Sequence, residues 1–475
     1  MSFTQFITQL GAAGAGGGAE SFLTEITSST YDLRAGNFIV DSEQNIVIAG
    51  TSNNNTTGFI YPTMWHLSSD GATLEKTRSD FDVDLVSLEN VDIDIDSNDY
   101  IYFVYGISNS NSGSKLFKCY PAGHANSMQY VSRTDLTQSD TSTSYRAFRV
   151  IEDGSGDVII AGYNGNIGDK GFLMKVNVAS QARSWVRSIT TNVATSQKFE
   201  YPYCAINPSN GELVCFHHGP SSSTSGFTQQ NISLSLDISG STPSISSQRA
   251  VGLGSTSRAG TPWFDDSGNV YNCSNWYDAN GSGRYEIVIS KYNSSLVHQW
   301  STTIYPATNP DCDFDAGAGF YDPVGDKIYA MHGTKSGLLF FFELDPSDGS
   351  VSGAVRTSGT DDRLMTLSGP VRTKYNSDIE RAHILFRSAG NTGGTYVAFM
   401  QIDPSLMMSL AGNTYSNWTF TDVLSSMTID TSPSLDINSV SYTLTSQTVP
   451  NVGGATSGNV NSNNTTYSIN ANVEI

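Results

Sequence analysis

Seven stretches of the chain share one pattern: a polar turn with Asp, Asn or Gly, then an apolar strand, then in six cases a closing glycine. They are DSEQNIVIAG (41–50), DSNDYIYFVYG (96–106), EDGSGDVIIAG (152–162), NPSNGELVCFHHG (207–219), DDSGNVYNCSNW (265–276), DPVGDKIYAMHG (322–333) and NSDIERAHILFRSAG (376–390). Their last residues lie 56, 56, 57, 57, 57 and 57 positions apart. So constant an interval indicates a structural repeat.

Each repeat contains four short apolar stretches. A second strand follows each copy, such as LFKCY from Leu116 or EIVISKY from Glu286, and a third follows that, such as HQWSTTI from His298. A further strand, such as NFIV from Asn37, precedes each turn. This arrangement predicts an all-β fold, a seven-bladed β-propeller of four-stranded blades, in which neighbouring blades bury each other's apolar faces. A solenoid would need shorter parallel rungs and a capping unit, and the sequence has neither pattern.

The ends of the repeat region predict how the ring closes. Residues 21–26 (SFLTEI) resemble the outer strand 299–304 (QWSTTI), although they precede the first complete unit. We therefore expect them to complete the seventh blade, within a propeller that spans residues 19–412. Residues 413–475 continue as a C-terminal β extension with too few large apolar side chains for an independent core. We expect the extension to pair with the propeller or with another subunit.

The first eighteen residues form a separate unit. Phe3, Phe6, Ile7 and Leu10 follow the spacing of one helical face, and a Gly/Ala linker follows to residue 18. An apolar helix on a flexible tether is typical of a peptide that docks on another protein, whereas a frayed terminus is the alternative. The stretch has no Lys or Arg, so it does not match an export signal.

Composition and motifs exclude several classes of function. The formal charge of -20 repels phosphate backbones and anionic lipid, which argues against nucleic acid and membrane partners. No apolar run approaches the ~20 residues of a membrane-spanning helix. The sequence contains no GxSxG elbow, HExxH helix or Walker loop. We therefore predict no catalytic residues, no cofactor and no metal site.

Two groups of polar residues leave alternatives open. Asp92, Asp94 and Asp96 alternate on one strand face that could meet the central channel, as a solvated strand or as a calcium site, but the Gly and Glu of a calcium loop are absent. Residues 311–315 (DCDFD) place three aspartates in the same way. Cys204 and Cys215 flank a turn and could form a disulfide, with reduced core thiols as the favoured alternative.

One repeat departs from the others where its closing glycine should be. Trp276, Tyr277 and Asp278 occupy that place. Aromatic rings on propeller loops can stack on sugars while a nearby carboxylate binds hydroxyl groups. The three residues are candidates for glycan contact, and the alternative is that Trp276 covers the core of its own blade.

The sequence bears two resemblances to known proteins. The motif D-x-x-G-N-x-Y/I-x-x-G followed by K-Y-N-S-S-x-x-x-x-W, best seen from Asp265 to Trp300, resembles seven-bladed propeller repeats of bacterial and viral surface proteins. MSF, a short apolar stretch and a Gly/Ala-rich sequence resemble the start of virion structural proteins of tailed bacteriophages, particularly marine ones. The second resemblance implies a non-enzymatic tail-fibre or capsid-surface protein, assembled in the host cytoplasm, whose propeller is a rigid platform for assembly and host-surface recognition.

The resemblance also implies partners. These would be other virion proteins, reached through the N-terminal peptide and the C-terminal strands, and a host surface glycan. The alternative is a glycan-binding or glycan-processing propeller enzyme. A ring of converging Arg and carboxylate side chains on one face would favour that alternative, and a dry apolar contact through residues 1–18 or 413–475 would favour assembly.

Overall fold

The fold is seen in a computed structural model that describes most of the chain. The described residues are 21–28, 31–54, 56–79, 86–107, 114–136, 145–164, 170–191, 203–218, 230–252, 257–258, 260–277, 285–306, 317–333, 338–359, 371–389, 395–415, 418–433, 436–438, 442–446, 454–456 and 467–474. Their strands form seven antiparallel sheets arranged in a ring. The predicted seven-bladed β-propeller is confirmed.

Within each blade, the strands follow one another in chain order from the central axis to the outer edge. The first strand of the chain, β1 (Phe22–Ser28), precedes blade 1 and belongs to blade 7. Blade 1 contains β2 (Tyr31–Val40), β3 (Ile46–Asn54), β4 (Ile60–Leu67) and β5 (Leu74–Arg78). Blade 2 contains β6 (Val86–Ile95), β7 (Ile101–Ile107), β8 (Ser114–Cys119) and β9 (Tyr130–Asp135). Blade 3 contains β10 (Tyr145–Glu152), β11 (Val158–Asn164), β12 (Lys170–Asn177) and β13 (Ala182–Thr191).

The remaining blades follow the same order. Blade 4 contains β14 (Tyr203–Ile206), β15 (Leu213–His218), β16 (Gln230–Asp237) and β17 (Ser244–Gly252). Blade 5 contains β18 (Ser257–Arg258), β19 (Trp263–Phe264), β20 (Val270–Tyr277), β21 (Tyr285–Tyr292) and β22 (His298–Pro306), and both β18 and β19 pair with β20. Blade 6 contains β23 (Ala318–Asp322), β24 (Lys327–Gly333), β25 (Leu339–Leu344) and β26 (Val351–Gly359). Blade 7 contains β27 (Arg372–Asn376), β28 (Arg381–Ala389) and β29 (Thr395–Ile402), with β1 as its fourth strand.

A side-chain-capped turn connects the first two strands of the repeat. In blade 5, Asp265 Oδ1 accepts hydrogen bonds from the backbone N–H groups of Ser267 at 3.0 Å and Asn269 at 2.9 Å. Its other oxygen accepts from Asn269 Nδ2 and from the Tyr271 hydroxyl, both at 2.8 Å. Such bonds satisfy backbone donors that a tight turn would leave unpaired. This explains the recurring Asp or Asn at the start of the repeated pattern.

The core is divided among the blade interfaces. The described residues form seven apolar clusters, and each cluster combines side chains from two adjacent blades. The cluster between blades 7 and 1, for example, packs Phe22 and Phe399 against Phe38 and Trp65. Burial of apolar surface is the main stabilising term in folding, so each blade depends on both of its neighbours.

The strand β1 occupies the outer-strand position of blade 7. It pairs with β29, from Phe22 opposite Gln401 to Ile26 opposite Val397. The Thr24 hydroxyl donates a hydrogen bond to the Gly71 carbonyl of blade 1 at 3.0 Å. In blade 5 the Thr302 hydroxyl makes the same bond to Gly349 of blade 6, at 2.7 Å. One sheet therefore joins the start of the propeller to its end.

The C-terminal segment then encircles the ring. It begins with two short 3-10 helices (Pro404–Leu406 and Met408–Leu410) and a hairpin of β30 (Thr414–Tyr415) and β31 (Trp418–Asp422). A third 3-10 helix (Leu424–Ser426) precedes the strands β32 (Met427–Asp430), β33 (Asp436–Asn438), β34 (Tyr442–Ser446), β35 (Gly454–Thr456) and β36 (Tyr467–Glu474). We call β31–β36 the belt.

The belt visits the blades in reverse order. β31 pairs with the outer strand of blade 6, β32 with blade 5, β33 with blade 4, β34 with blade 3 and β35 with blade 2. β36 pairs with β1 in blade 7. Six blades therefore gain an added strand, and blade 1 has four strands among the residues that the structure describes. β1 is thereby enclosed between β29 and β36.

Gly71, Gly268 and Gly349 lie in turns where an added Cβ atom would collide with a side chain of the preceding blade. Gly349 has a φ of 73°, and a Cβ atom there would lie 2.5 Å from the Trp300 ring and 2.7 Å from Thr302 Oγ1. We expect Gly349→Ala to reduce the free energy of unfolding by about 1–3 kcal/mol more than Gly154→Ala does. Gly154 is the matched control because its φ is 83° and a Cβ atom there would have nothing within 4 Å. Equal losses in urea denaturation would contradict the proposed blade contact.

Candidate functional site

The candidate site is built from one repeat position. The residue four places before the Asp or Asn of each repeated turn belongs to the innermost strand or its loop. We call this set the axial tier: Asn37, Asp92, Arg149, Tyr203, Thr261, Ala318 and Arg372. All of them except Tyr203 line a central cavity of about 280 Å³, to which every blade contributes.

Asp92 has partners on both of its carboxylate oxygens. Its Oδ1 accepts a hydrogen bond from Asn37 Nδ2 at 2.7 Å and faces Arg149 Nη1 at 3.3 Å. Its Oδ2 accepts from the backbone N–H of Val150 at 2.9 Å. Asp92 is buried, and a buried carboxylate requires such partners. It therefore ties blades 1, 2 and 3 together at the axis.

Two guanidinium groups converge on one hydroxyl. Arg149 Nη2 donates to Thr261 Oγ1 at 2.9 Å from blade 3, and Arg372 Nη1 donates to the same oxygen at 3.3 Å from blade 7. Both cations also lie near the Tyr203 ring, at 5.3 and 5.8 Å from its centroid. The tier thus contains two arginines and one aspartate, which gives the cavity floor a net positive charge.

A break in blade 5 brings Thr261 to this position. The innermost strand stops at β18 and resumes at β19, with Thr261 in the connecting loop. The preceding residue is Gly260, where a Cβ atom would collide with the backbone oxygens of Cys273 and Gly317. Only glycine permits this close approach to blade 6.

The rim of the cavity has a different charge pattern. Asp94 and Lys374 face each other there, with 4.0 Å between Oδ1 and Nζ and side chains 24% and 44% exposed. Asp94 Oδ2 also accepts from the backbone N–H of Glu152 at 2.8 Å. Loss of hydration raises the pKa of Asp94, and the Lys374 charge partly opposes that shift. Positive groups dominate the floor, whereas the cavity as a whole is lined by three cations and three carboxylates, the third carboxylate being that of Glu152.

The cavity wall also contains an aromatic side chain. Trp263 lines the cavity and is 7% exposed. Its ring stacks on Tyr271 with 6.1 Å between centroids. Its indole N–H is buried and has no hydrogen-bond partner in the described part of the chain. Nine of the nineteen residues that line the cavity are polar or charged, so the cavity suits a small polar ligand.

The three aspartates that alternate in the sequence do not share one environment in the structure. Asp92 and Asp94 line the central cavity, as the channel interpretation expects, but a solvated strand is wrong for Asp92, which is buried and paired with Arg149. Asp96 instead belongs to the turn, where its Oδ1 accepts from the backbone N–H groups of Asn98 and Tyr100. Among the described residues no group of three His, Cys, Asp or Glu side chains could hold a metal ion.

Several candidates from the sequence lie beyond what the structure describes. Phe3, Phe6, Ile7 and Leu10 are outside the described residues, as are Asp278 and residues 311–315. Trp276 and Tyr277 are the last residues of β20, and their side chains are outside the described part. The glycan and docking hypotheses for these residues stay predictions. None of the described helices has the length and apolar character needed to cross a membrane.

Cys204 and Cys215 lie directly opposite each other on β14 and β15. Their sulfur atoms are 2.6 Å apart, and both residues are buried free thiols. Burial and the neighbouring Cys204 raise the pKa of the Cys215 thiol. The two sulfur atoms are therefore close enough to react, while the raised pKa disfavours the reactive thiolate of Cys215.

We expect diamide to oxidise this pair with a rate that rises with pH. Two thiols become one disulfide, and the two electrons and two protons reduce diamide to its hydrazine. Because the thiolate is the nucleophile and the pKa of the Cys215 thiol is raised, the rate should rise between pH 7 and 9. Peptide mass spectrometry without reduction should find Cys204 joined to Cys215 and no link in Cys215→Ser. A rate independent of pH, or a link between other cysteines in the wild-type chain, would contradict this.

Several solved structures resemble this chain at low sequence identity. No family model matches the chain, and no curated protein matches it. The structure of the Dos1 propeller is 8% identical with a TM-score of 0.46, covering 84% of this chain and 98% of that one. An α-L-arabinanase of Penicillium chrysogenum complexed with arabinobiose is 13% identical with a TM-score of 0.44, covering 66% and 93%. The periplasmic gluconolactonase of Pseudomonas aeruginosa is 11% identical with a TM-score of 0.43, covering 84% and 99%. Such low identities concern the fold alone.

Proposed function

We propose that this chain is a non-enzymatic structural protein of a larger particle, the virion of a tailed bacteriophage, where the propeller is a rigid platform for assembly and host-surface recognition. The observation that carries the proposal is the belt, which adds a strand to six of the seven blades in the described part of the chain. An added strand covers a sheet edge that could otherwise fray or pair with other chains. Because the belt pairs with the outer strands of the blades, the ring should unfold slowly. Slow unfolding suits a protein that is exposed on a particle.

The location of the attachment site follows from the belt. Its strands pair with the chain's own blades, so they are already engaged along one edge. We therefore assign attachment first to the N-terminal peptide, with its apolar positions Phe3, Phe6, Ile7 and Leu10. The acidic charge of -20 favours protein partners over nucleic acid or membrane.

Native mass and particle co-purification test this proposal. The full chain and a chain without residues 1–18 should both fold, because the excluded peptide precedes β1. The full chain should enter a larger assembly or purify with particles, and the shortened chain should stay a folded monomer. If the full chain and the shortened chain are both monomers and neither binds a particle, the proposal is overturned.

A glycan-binding or glycan-processing propeller is the second candidate. The observation that favours it is the convergence of Arg149, Arg372 and Asp92 at the axis. Release of new reducing ends from a polysaccharide by the purified chain would support a processing enzyme. If the chain binds the polysaccharide but releases no reducing ends, the site is a binding site of a non-enzymatic platform.

A further inference from the structure

We infer that the axial cavity binds a small sugar acid, with the carboxylate at the Arg149–Arg372 floor and the hydroxyl groups towards the rim. The inference goes beyond the proposed platform and does not depend on particle attachment. Three observations carry it: the charge of the floor, the polar groups of the wall and rim, and the cavity size.

The floor is suited to an anion. Two guanidinium groups lie within 3.3 Å of the single oxygen Thr261 Oγ1, although like charges repel at this separation. The tier supplies one carboxylate, Asp92, whose two oxygens already accept from Asn37 and Val150 as well as facing Arg149. A ligand carboxylate between the two guanidinium groups would lower their repulsion and accept charge-assisted hydrogen bonds.

The wall and rim are suited to a polyhydroxylated ring. Trp263 lines the cavity and offers an apolar edge against which the ring carbons of a sugar can pack. Asp94 and Lys374 at the rim are partly exposed, so one can accept and the other donate hydrogen bonds to hydroxyl groups. A simple carboxylate such as acetate would contact only the arginines of the floor and would make no contacts with the wall and rim.

The cavity size limits the ligand. At about 280 Å³ it lies just below the range of about 300–1,000 Å³ that holds drug-sized ligands. A monosaccharide is therefore the expected unit, either free or at the end of a longer chain. A hexuronate meets these requirements because it carries one carboxylate and several hydroxyl groups on a single ring.

Isothermal titration calorimetry of the full chain with D-glucuronate tests the inference. We expect saturable binding at one site with a Kd of about 1 mM or tighter. D-glucose and D-glucuronamide, which lack the negative charge, should bind roughly tenfold more weakly or not at all. Acetate should bind more weakly than glucuronate. Equal binding of glucuronate and its neutral amide, or no saturable heat with glucuronate, would overturn the inference and leave the tier as a plug that closes the channel.

Variants locate the site. Arg372→Gln should weaken glucuronate binding by roughly tenfold or more. Arg249→Gln is the matched control, because Arg249 lies on the outer strand β17 and donates to the neighbouring Gln248 carbonyl. If Arg372→Gln fails to fold, the comparison of glucuronate with its amide on the unaltered chain still decides. Undiminished binding to a folded Arg372→Gln chain would place the ligand elsewhere and overturn the assignment.

Discussion

Replacing Trp418 with alanine is expected to lower the free energy of unfolding by about 3–5 kcal/mol. Trp418 is the first residue of the belt and is only 2% exposed. Its ring meets Phe386 of blade 7 edge-on, with 5.0 Å between centroids. Its indole N–H donates a hydrogen bond to Glu25 Oε1 at 2.7 Å, and Glu25 lies in β1. One side chain thus joins the belt on blade 6 to the strand that closes the ring.

Two further substitutions separate these contributions. Trp418→Phe keeps an aromatic ring but removes the hydrogen bond to the buried Glu25, so we expect a smaller loss of about 1–3 kcal/mol. Thr421→Ala changes an exposed residue on the same strand and should stay within about 0.5 kcal/mol of the wild type. Urea denaturation followed by tryptophan fluorescence and circular dichroism measures all three. A loss below about 1 kcal/mol for Trp418→Ala, or the same loss for Thr421→Ala, would contradict the role of Trp418.

The second large effect is expected from shortening the belt. A chain that ends at residue 433 keeps β31 and β32 but lacks β33–β36, and so exposes the outer edges of blades 4, 3 and 2 and of β1. The β1–β36 pairing alone extends from Phe22 opposite Glu474 to Ser28 opposite Tyr467. We expect the melting temperature to fall by on the order of 10 °C and the unfolding rate to rise at least about tenfold.

A chain without residues 1–18 is the control for this truncation. It loses residues at the opposite end but keeps every described strand. Its melting temperature should stay within about 2 °C of that of the full chain. Thermal scans and unfolding rates in concentrated denaturant provide the measurement. Equal stability of the full chain and the chain that ends at residue 433 would show that the belt does not hold the ring together.

The blades could be predicted from the sequence because their signals are local and repeated. Each turn begins with an Asp or Asn whose side chain caps it, as Asp265 does, and the apolar strands follow at fixed distances. The turn and strand pattern would be weak evidence in a single repeat, but it occurs seven times. The likeness between residues 21–26 and 299–304 also has a physical cause, because Thr24 and Thr302 bond to equivalent turn carbonyls.

The axial tier was harder to predict because its contacts join repeats that are far apart in the chain. Arg149 and Arg372 lie 223 positions apart yet donate to the same Thr261 oxygen. The sequence nevertheless carries a signal, since five of the seven residues of the tier are Asn, Asp, Arg or Thr. It becomes visible when the innermost strands are aligned on the Asp or Asn of the turn. The alternation of aspartates at residues 92–96 is local in the sequence, whereas the arginine partner of Asp92 lies in the next repeat.

The path of the belt could not be predicted from the sequence for a different reason. Strand addition uses backbone hydrogen bonds, which any residue except proline can make, so short polar strands carry little information about their partners. The alternating apolar pattern of a strand that covers a core is clear in β31, with Trp418 and Phe420, and in β32, with Met427 and Ile429. β33 and β35 contain three residues each. Their order around the ring is a property of the folded molecule.

Residue-resolved hydrogen–deuterium exchange across β1 tests most directly whether the belt closes the ring. Because β1 lies between two antiparallel strands, its amides should alternate in direction between β29 and β36. In the full chain we predict slow exchange along the whole of β1. In the chain that ends at residue 433, every second amide should exchange at least about tenfold faster. Identical protection of β1 in both chains would contradict a closing role for the belt, because the ring would then be closed without it.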